Sequence, residues 1–590
     1  MLKRAPYLLY FFIAFITIMV MRPAFFSYVL QGELVNPDSY MRLVRIQEAF
    51  DHHEWFTSMV SRNESGSGTL IYWSHLVDAF ILALSLPLKF LIGCQKALFW
   101  AAALYGPVCV GLLGAFSAWA IKPLVSRAWL WIVPLGIALS PSIINYGHIG
   151  IATHHLTILL FTVIAWGFVG RAYLQECPLY AWGAGIASGL AIWVSPEATP
   201  FCLMGFGTFV IASICQPSNA LVRSMKFYGA GFIGLITVAL FLDPPYQGML
   251  SAQLDRISFT FLILAALIYA YAFIPYILLR LQAPLGKRVV WMCAGALFGM
   301  SIWLSLFPAY LHGLSGLMTP EQAKEFFITT EMAPIANFID LMTYGFAGIA
   351  SVAVLCALSF RQKNSPYPYL LWYVSICSAL CTLLAFMHIR FAMYSSAISM
   401  ITMACVLSLF TRAPTQKWDR TIRLAALLCF LILPNLVGDV DAAFSLGVQS
   451  STERREKDVQ RSCRLEDARM LLYSIPGRTV LADVNIGPAL LYKTDINIVG
   501  AFYHAGIKGY MKQKAAWGAS DSVAKPSEIV ASGADYILIC PEPPIRKNHP
   551  SEKEQTHPTL LERLSTGEVP SWLSVVPHSV GTDWVLYQIR

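Results

Sequence analysis

The run Asn36-Pro37-Asp38-Ser39-Tyr40-Met41-Arg42-Leu43-Val44-Arg45 sets one carboxylate behind a proline and follows it with a tyrosine and two arginines. A carboxylate so placed can hold a cation or take a proton from a nucleophile. Three other groups have comparable potential. His154-His155 offers neutral imidazole, a common metal donor. Glu331 closes the run Phe327-Ile328-Thr329-Thr330-Glu331. Arg390, in His388-Ile389-Arg390-Phe391, carries a planar guanidinium suited to phosphate between two apolar stretches. Each also has a plain structural reading. Asp38 fits as the cap of a helix starting near Ser39, the histidines as interfacial polar groups, and Glu331 as one acid in a loop that also holds Glu321 and Glu325. Arg390 fits as a snorkelling cation. Two further groups have the same ambiguity. Glu197, in Trp193-Val194-Ser195-Pro196-Glu197, either lines a cavity or ends a helix. Asp51-His52-His53-Glu54 reads as a solvated loop, because adjacent side chains diverge on a helix.

The elements that must position these groups are membrane helices. The chain is 56% hydrophobic and 13% charged, whereas soluble domains carry roughly 25% charged residues. The net charge of +8 sits in short basic loops between apolar spans and points to no nucleic acid. Met1-Leu2-Lys3-Arg4 and the following apolar run read as a retained anchor with its N-terminus in the cytoplasm. Taking a span as roughly 17–25 residues and basic short loops as inner predicts about thirteen crossings. Residues 1–437 form the membrane domain. Its outer loop 27–95 carries Asp38, and its outer loop 308–340 carries Glu331. Within the first loop, 76–91 is read as a helix packed against the membrane part and not a crossing, since a crossing there would put Lys122 and Arg127 outside. Residues 438–590 read as a soluble extracytoplasmic α/β domain. Its strands are expected at 479–483, 536–540 and 584–589, its helices at 450–469 and 526–532. Cys463 and Cys540 are the two cysteines in this polar region and can pair if it is extracytoplasmic.

The four groups and the side they share resemble the catalytic subunit of oligosaccharyltransferase and the wider GT-C class of polytopic, polyprenyl-phosphate-sugar-dependent glycosyltransferases. Asp38-Ser39-Tyr40, with Arg42 and Arg45 beyond it, is similar to the acidic motif that follows the first span in that family. Thr153-His154-His155 is similar to its second motif, often Asp-His-His, and residues 328–331 approximate the Thr/Ser-x-x-Glu motif of its long outer loop. Arg390-Phe391 matches an Arg-Phe pair near its twelfth span.

The resemblance implies roles. Asp38 and Glu331 would be catalytic, and Asp38 and His155 would hold a divalent cation, Mg or Mn. Arg390 would bind the donor (pyro)phosphate, with His154, Glu197, Arg42 and Tyr40 as secondary candidates. Two departures stand out. Thr153 replaces a metal-binding Asp, which leaves cation dependence open. The Trp-Trp-Asp-Tyr-Gly motif that reads an Asn-x-Ser/Thr sequon is absent; Leu481-Ala482-Asp483-Val484-Asn485-Ile486-Gly487 and Ala501-Phe502-Tyr503-His504 lie in roughly its place. The expected protein is an inner-membrane glycosyltransferase with a polyprenyl-linked sugar donor and a glycan, lipid or protein acceptor on the outer face. The rival is a transporter or flippase, or a non-catalytic part of a glycan export system. A transporter fold would show repeat symmetry, and the sequence has no internal repeat.

Overall fold

The computed structural model describes residues 6–53, 55, 58–327, 331–361, 368–409, 417–437, 463–521, 523–540, 558–577 and 583–590. Lys3, Arg4, Glu54, residues 328–330, Lys363, Arg412 and residues 450–462 of the expected charged helix lie outside them. The chain forms two compact units. One comprises Met1–Phe26, Trp73–Leu317 and Phe327–Glu453; the other comprises Ser27–Tyr72, Met318–Phe326 and Arg454–Arg590.

The first unit is helical. Among the described residues ten helices are long and apolar enough to cross a membrane, or twelve if two bent pairs each count as one span; the sequence predicts about thirteen. This is a multi-pass membrane protein. The bent pairs are Pro6–Met21 with Pro23–Leu30, at 82°, and Arg127–Leu139 with Pro141–Gly147, at 66°. A proline stands at the start of each second helix, where its missing N–H and fixed φ break the preceding ladder. His75–Ile92, expected to pack without crossing, is an uninterrupted 18-residue helix that meets the length and composition of a span. Sidedness counted from loop charges does not register this continuity. Pro178–Val194 is a shorter apolar helix, of 17 residues.

Two helices of this unit set the level of the second motif. Cys94–Ile121 and His155–Gln175 run side by side in the same direction, joined by the hydroxyls of Tyr105, in the middle of the first, and Thr157, near the start of the second. Near their ends Arg171 donates to the carbonyls of Trp119 and Ala120 and lies 3.8 Å from the centre of the Trp119 ring. A buried guanidinium thus spends its donors on carbonyls and stacks on an aromatic face.

The second unit is mixed. A short antiparallel hairpin, β1 (Met59–Val60) and β2 (Thr69–Leu70), accompanies a five-stranded sheet of order β4-β3-β5-β7-β6. These strands are β3 (Thr479–Leu481), β4 (Asn497–Ile498), β5 (Tyr536–Ile539), β6 (Leu573–Val575) and β7 (Val585–Ile589). The three predicted strands are β3, β5 and β7, and Ser527–Ser532 is the predicted helix between two of them. β4, of two residues, is too short for an alternation to show in sequence. β3 pairs in parallel with β4 and β5, while β7 runs antiparallel to β5 and β6. Leu481, Val499, Ile529, Ile537, Leu560 and Tyr587 share its core. Cys463 and Cys540 form a disulfide across a sequence separation of 77.

Residues 27–72, expected to belong with the membrane domain, belong to this mixed unit instead. The reasons are long-range polar contacts. Arg62 donates to the carbonyls of Leu491 and Thr494, and its own carbonyl accepts from the Ile498 amide at 3.0 Å. Ser65 Oγ donates to the Ser532 carbonyl, and Lys493 Nζ lies 3.3 Å from Glu33.

Candidate active site

In the helical unit, His155 is placed by a break in another helix. Pro107 lies inside Cys94–Ile121 and has no N–H for the carbonyl one turn back, that of Ala103. The Gly150 amide donates to that carbonyl at 2.8 Å, and the Gly106 amide donates to the Ile151 carbonyl at 3.0 Å. Two glycines make this possible. Gly150 has φ +89°, and a Cβ on Gly106 would stand 3.0 Å from the carbonyl oxygens of both His148 and Ile151. The pinned loop delivers Thr153, His154 and His155 to the start of His155–Gln175, with His154 in the N-cap position. His155 is buried; its ring centre lies 4.5 Å from that of Tyr146 and 4.3 Å from that of His154, which in turn faces Trp73.

Glu331 and Arg390 are tied together by main chain. Residues 331–335 run antiparallel to residues 386–390. The Ile335 amide donates to the Phe386 carbonyl, the Ile389 amide to Ala333 and the Arg390 amide to Glu331, at 3.0–3.1 Å. His388 Nδ1 adds a contact of 2.7 Å to the Met332 carbonyl. This clip fixes Glu331 although its side chain is half exposed. Its Oε2 lies 3.8 Å from His155 Nε2.

Arg390 sits on the 3-10 turn Ile389–Phe391, directly before the helix Ala392–Leu409. Its Nη2 lies 2.8 Å from both carboxylate oxygens of Glu197, and its Nη1 lies 3.2 Å from the Met332 sulfur. Glu197 occupies the matching position across from it, on the turn Pro196–Ala198 that precedes Thr199–Cys215. Phe201 and Tyr394, one turn into these two helices, stack with ring centres 3.5 Å apart. Arg390 is therefore not a snorkelling cation: it is ion-paired and largely buried, with an exposed fraction of 13%. Glu197 lies beyond the end of Pro178–Val194, in the turn that starts the next helix, and it faces the arginine. Among His155, Glu331, Glu197 and Arg390 the structure assembles one cluster from four separate stretches.

Asp38 belongs to the mixed unit. The helix that carries it, Pro37–Asp51, is capped by Asn36, whose Oδ1 accepts from the Ser39 amide at 2.9 Å and the Ser39 hydroxyl at 2.6 Å. The cap expected of Asp38 thus belongs to Asn36, because a helix beginning with proline at its first position places the cap one residue earlier. Asp38 lies in the first turn, on the face shared with the buried Arg42. The hydroxyl of the buried Tyr503 interacts with the Asp38 side chain; burial, and then the negative charge of Asp38, hold the phenol well above its ordinary pKa. Tyr40 donates to Glu33 at 2.9 Å and accepts from the Leu34 amide at 2.8 Å, an anchoring role for the chain entering the helix. Asp51, His52 and His53 end the helix exposed to solvent, as a loop should.

Sequence spacing does not reveal Tyr503, Tyr146 or the Asn36 cap as parts of these clusters. For Asn36 the signal existed: Asn before Pro is a helix-start pattern. For the two tyrosines no local pattern carries it.

No protein-family model and no curated protein matches the chain. Solved structures do. The archaeal oligosaccharyltransferase AglB from Archaeoglobus fulgidus, solved in complex with an inhibitory peptide and a dolichol-phosphate, aligns over 91% of this chain and 69% of its own at 14% identity, with a TM-score of 0.65. The same archaeal enzyme tethered to an acceptor peptide containing the NVT sequon gives 13% identity over 91% of this chain and 69% of its own, with a TM-score of 0.61. Its complex with Zn and sulfate gives 14% identity over 86% and 64%, with a TM-score of 0.59. The fold of this chain, membrane-length helices with a sheet toward the C-terminus, is thus similar to that of the archaeal oligosaccharyltransferase.

Proposed function

We propose that the protein is a membrane glycosyltransferase that moves a sugar or oligosaccharide from a polyprenyl-phosphate-linked donor to an acceptor on the extracytoplasmic face of a bacterial-type inner membrane. The observation that carries this reading is the clip that sets Glu331 beside His155 and Arg390 in a chain of GT-C fold. The N-terminus is cytoplasmic in this reading and the mixed unit periplasmic. A disulfide between Cys463 and Cys540 supports that side, since disulfides persist in oxidising compartments. With no Trp-Trp-Asp-Tyr-Gly motif, the acceptor is a glycan, lipid or protein group other than an Asn-x-Ser/Thr sequon.

In the reaction an acceptor oxygen or nitrogen attacks the anomeric carbon. The bond from that carbon to the donor's phosphate oxygen breaks, and its electron pair leaves with the lipid phosphate. The acceptor proton passes to a carboxylate, Asp38 or Glu331. Arg390 holds the phosphate through charge-assisted hydrogen bonds.

A divalent cation fits part of the donor set. His155 Nε2 and Glu331 Oε2, 3.8 Å apart, can both reach one ion that needs about 2.0–2.2 Å to each. Thr153 adds a buried hydroxyl that has no hydrogen-bond partner among the described residues. Among the described residues no three His, Cys, Asp or Glu side chains form a metal-binding group. Few protein ligands with several waters is the habit of Mg2+. When bound, such an ion would neutralise charge on the leaving phosphate. By resemblance Asp38 is a further ligand or, alternatively, the base.

The test is transfer by purified full-length protein from an extract of native lipid-linked sugars, with and without a chelator. Transfer by wild type and its loss in Asp38→Ala and Glu331→Ala, each with an unchanged elution profile, supports the reading. Full activity in both variants ends it. No transfer by wild type, with lipid-linked precursor accumulating inside cells that lack the protein, moves the assignment to the transporter class.

A further inference from the structure

We infer that Glu197 is an internal stand-in for the donor phosphate: it pairs with Arg390 and is displaced when the phosphate arrives. The inference rests on the reading of Arg390 as the phosphate-binding residue and goes beyond it by making the seat a two-state element.

Four observations point this way. First, both Glu197 oxygens lie 2.8 Å from the single nitrogen Nη2 of Arg390, so one anion already fills the place a phosphate would take. Second, the other terminal nitrogen, Nη1, meets only the Met332 thioether, at 3.2 Å, among the described residues. Sulfur is a weak acceptor, which leaves that arm of the fork ready for a stronger one.

Third, the charges do not suit a phosphate while Glu197 stays in place. Arg390 is close enough to feel both Glu197 and Glu331. With His155 neutral and no cation on His155 and Glu331, one guanidinium against two carboxylates makes the cluster negative by one. An incoming phosphate gains from Arg390 only if a carboxylate yields. Fourth, the partner able to yield is Glu197. Its side chain is 29% exposed against 13% for Arg390. It also stands in the first turn leading into Thr199–Cys215, with its amide taken by Ser195 Oγ. A carboxylate released there keeps the favourable field of a helix N-terminus. Arg390, at the equivalent start of Ala392–Leu409, has the opposite sign and requires an anion in every state. Glu197 has two favourable places; Arg390 has one place and two candidate anions.

The test is binding of farnesyl phosphate to the purified full-length protein in detergent, followed calorimetrically, with farnesol as the control that carries the tail without the phosphate. Glu197→Gln is expected to tighten farnesyl phosphate about tenfold and leave farnesol unchanged. Glu197→Asp, which keeps the charge but is too short to span to Nη2 with both oxygens, is expected to tighten it less. Arg390→Met is expected to weaken it at least tenfold. If both Glu197 variants bind the phosphate as wild type does or more weakly, while Arg390→Met loses it, Glu197 is a positioning residue and the exchange is overturned. If Arg390→Met binds as wild type does, Arg390 does not hold the phosphate, and the underlying reading falls with the inference. The aspartate variant keeps the comparison decisive should the glutamine variant fail to fold.

Discussion

The Gly150 amide donates to the Ala103 carbonyl at 2.8 Å, an acceptor that Pro107 leaves without its helical donor. A helix defect on one side and a glycine with φ +89° on the other together fix the loop that ends in His155. Pro107→Ala would restore the N–H and let the helix compete for that carbonyl. Removing a proline from a helix interior gains up to about 3 kcal/mol of intrinsic helix stability, so the variant is expected to fold at least as well as wild type. The loop would lose its anchor, and transfer is expected to fall about tenfold or more, since a shift of about 1 Å in a reacting group can cost that much. A Pro107→Ala protein with wild-type turnover would show that the Ala103 contact does not place His155.

In the proposed function Asn36 and Asp38 divide two jobs, the helix cap and the reacting carboxylate, that a single acid could have shared. Asn36→Ala removes the cap and is expected to cost about 1 kcal/mol of stability, seen as a lower midpoint of thermal unfolding. Asp38→Asn leaves the cap in place. It is expected to keep the wild-type midpoint while transfer drops by about two orders of magnitude or more, the scale of a lost acid–base group. If Asp38→Asn lowers the midpoint as much as Asn36→Ala does, the carboxylate is structural.

How much of this was visible along the chain depends on the range of the interaction. Apolar runs and loop charges show the helical unit because membrane burial acts on each span locally. The strands at Thr479–Leu481, Tyr536–Ile539 and Val585–Ile589 show because short apolar runs bounded by polar residues are also a local signal. Asp38, His155, Glu331 and Arg390 each have a plain structural reading alone and are legible through their resemblance to motifs of a known family. The pairing of Glu197 with Arg390 joins residues 193 apart in sequence, and nothing in either neighbourhood specifies the other. The grouping of residues 27–72 with the sheet depends on Arg62 finding carbonyls more than four hundred positions away. Backbone acceptors leave no signature in residue type. The Pro107 break was legible as a proline in a span; its purpose was not, because the group that uses the freed carbonyl is an amide.

Glu33 gives the mixed unit a pH signature. Its buried carboxyl is held above the ordinary 4.5, chiefly by burial, with Lys493 and Tyr40 pulling it partly back. A carboxyl whose folded value exceeds its unfolded one stabilises the fold fully below the unfolded value and loses that contribution as pH rises through the folded value. Wild type is therefore expected to lose stability relative to Glu33→Gln as pH climbs from the mid-fours toward neutrality, measured as the difference between their denaturant midpoints. A difference that stays constant over that range would mean that Glu33 titrates alike in both states. A difference that grows in favour of wild type would mean that the Lys493 ion pair outweighs burial.

Thr153 is the place to ask whether a cation belongs to the site. Its hydroxyl is buried and has no hydrogen-bond partner among the described residues, two positions before a histidine that lies 3.8 Å from Glu331. A carboxylate there would be costly without a counter-charge, because an unpaired buried anion is penalised by several kcal/mol. It would also be a stronger ligand for a hard cation than a neutral hydroxyl. Thr153→Asp is accordingly expected to unfold at a lower temperature than wild type in chelator and to recover when Mg2+ or Mn2+ is added. Half-maximal recovery is expected at a concentration about tenfold below that for any cation effect on wild type, the equivalent of about 1.4 kcal/mol. Transfer measured along the same cation series should move with it. If the variant is destabilised and neither cation restores it, His155 and Glu331 do not share an ion with position 153, and their proximity serves to orient Glu331 alone.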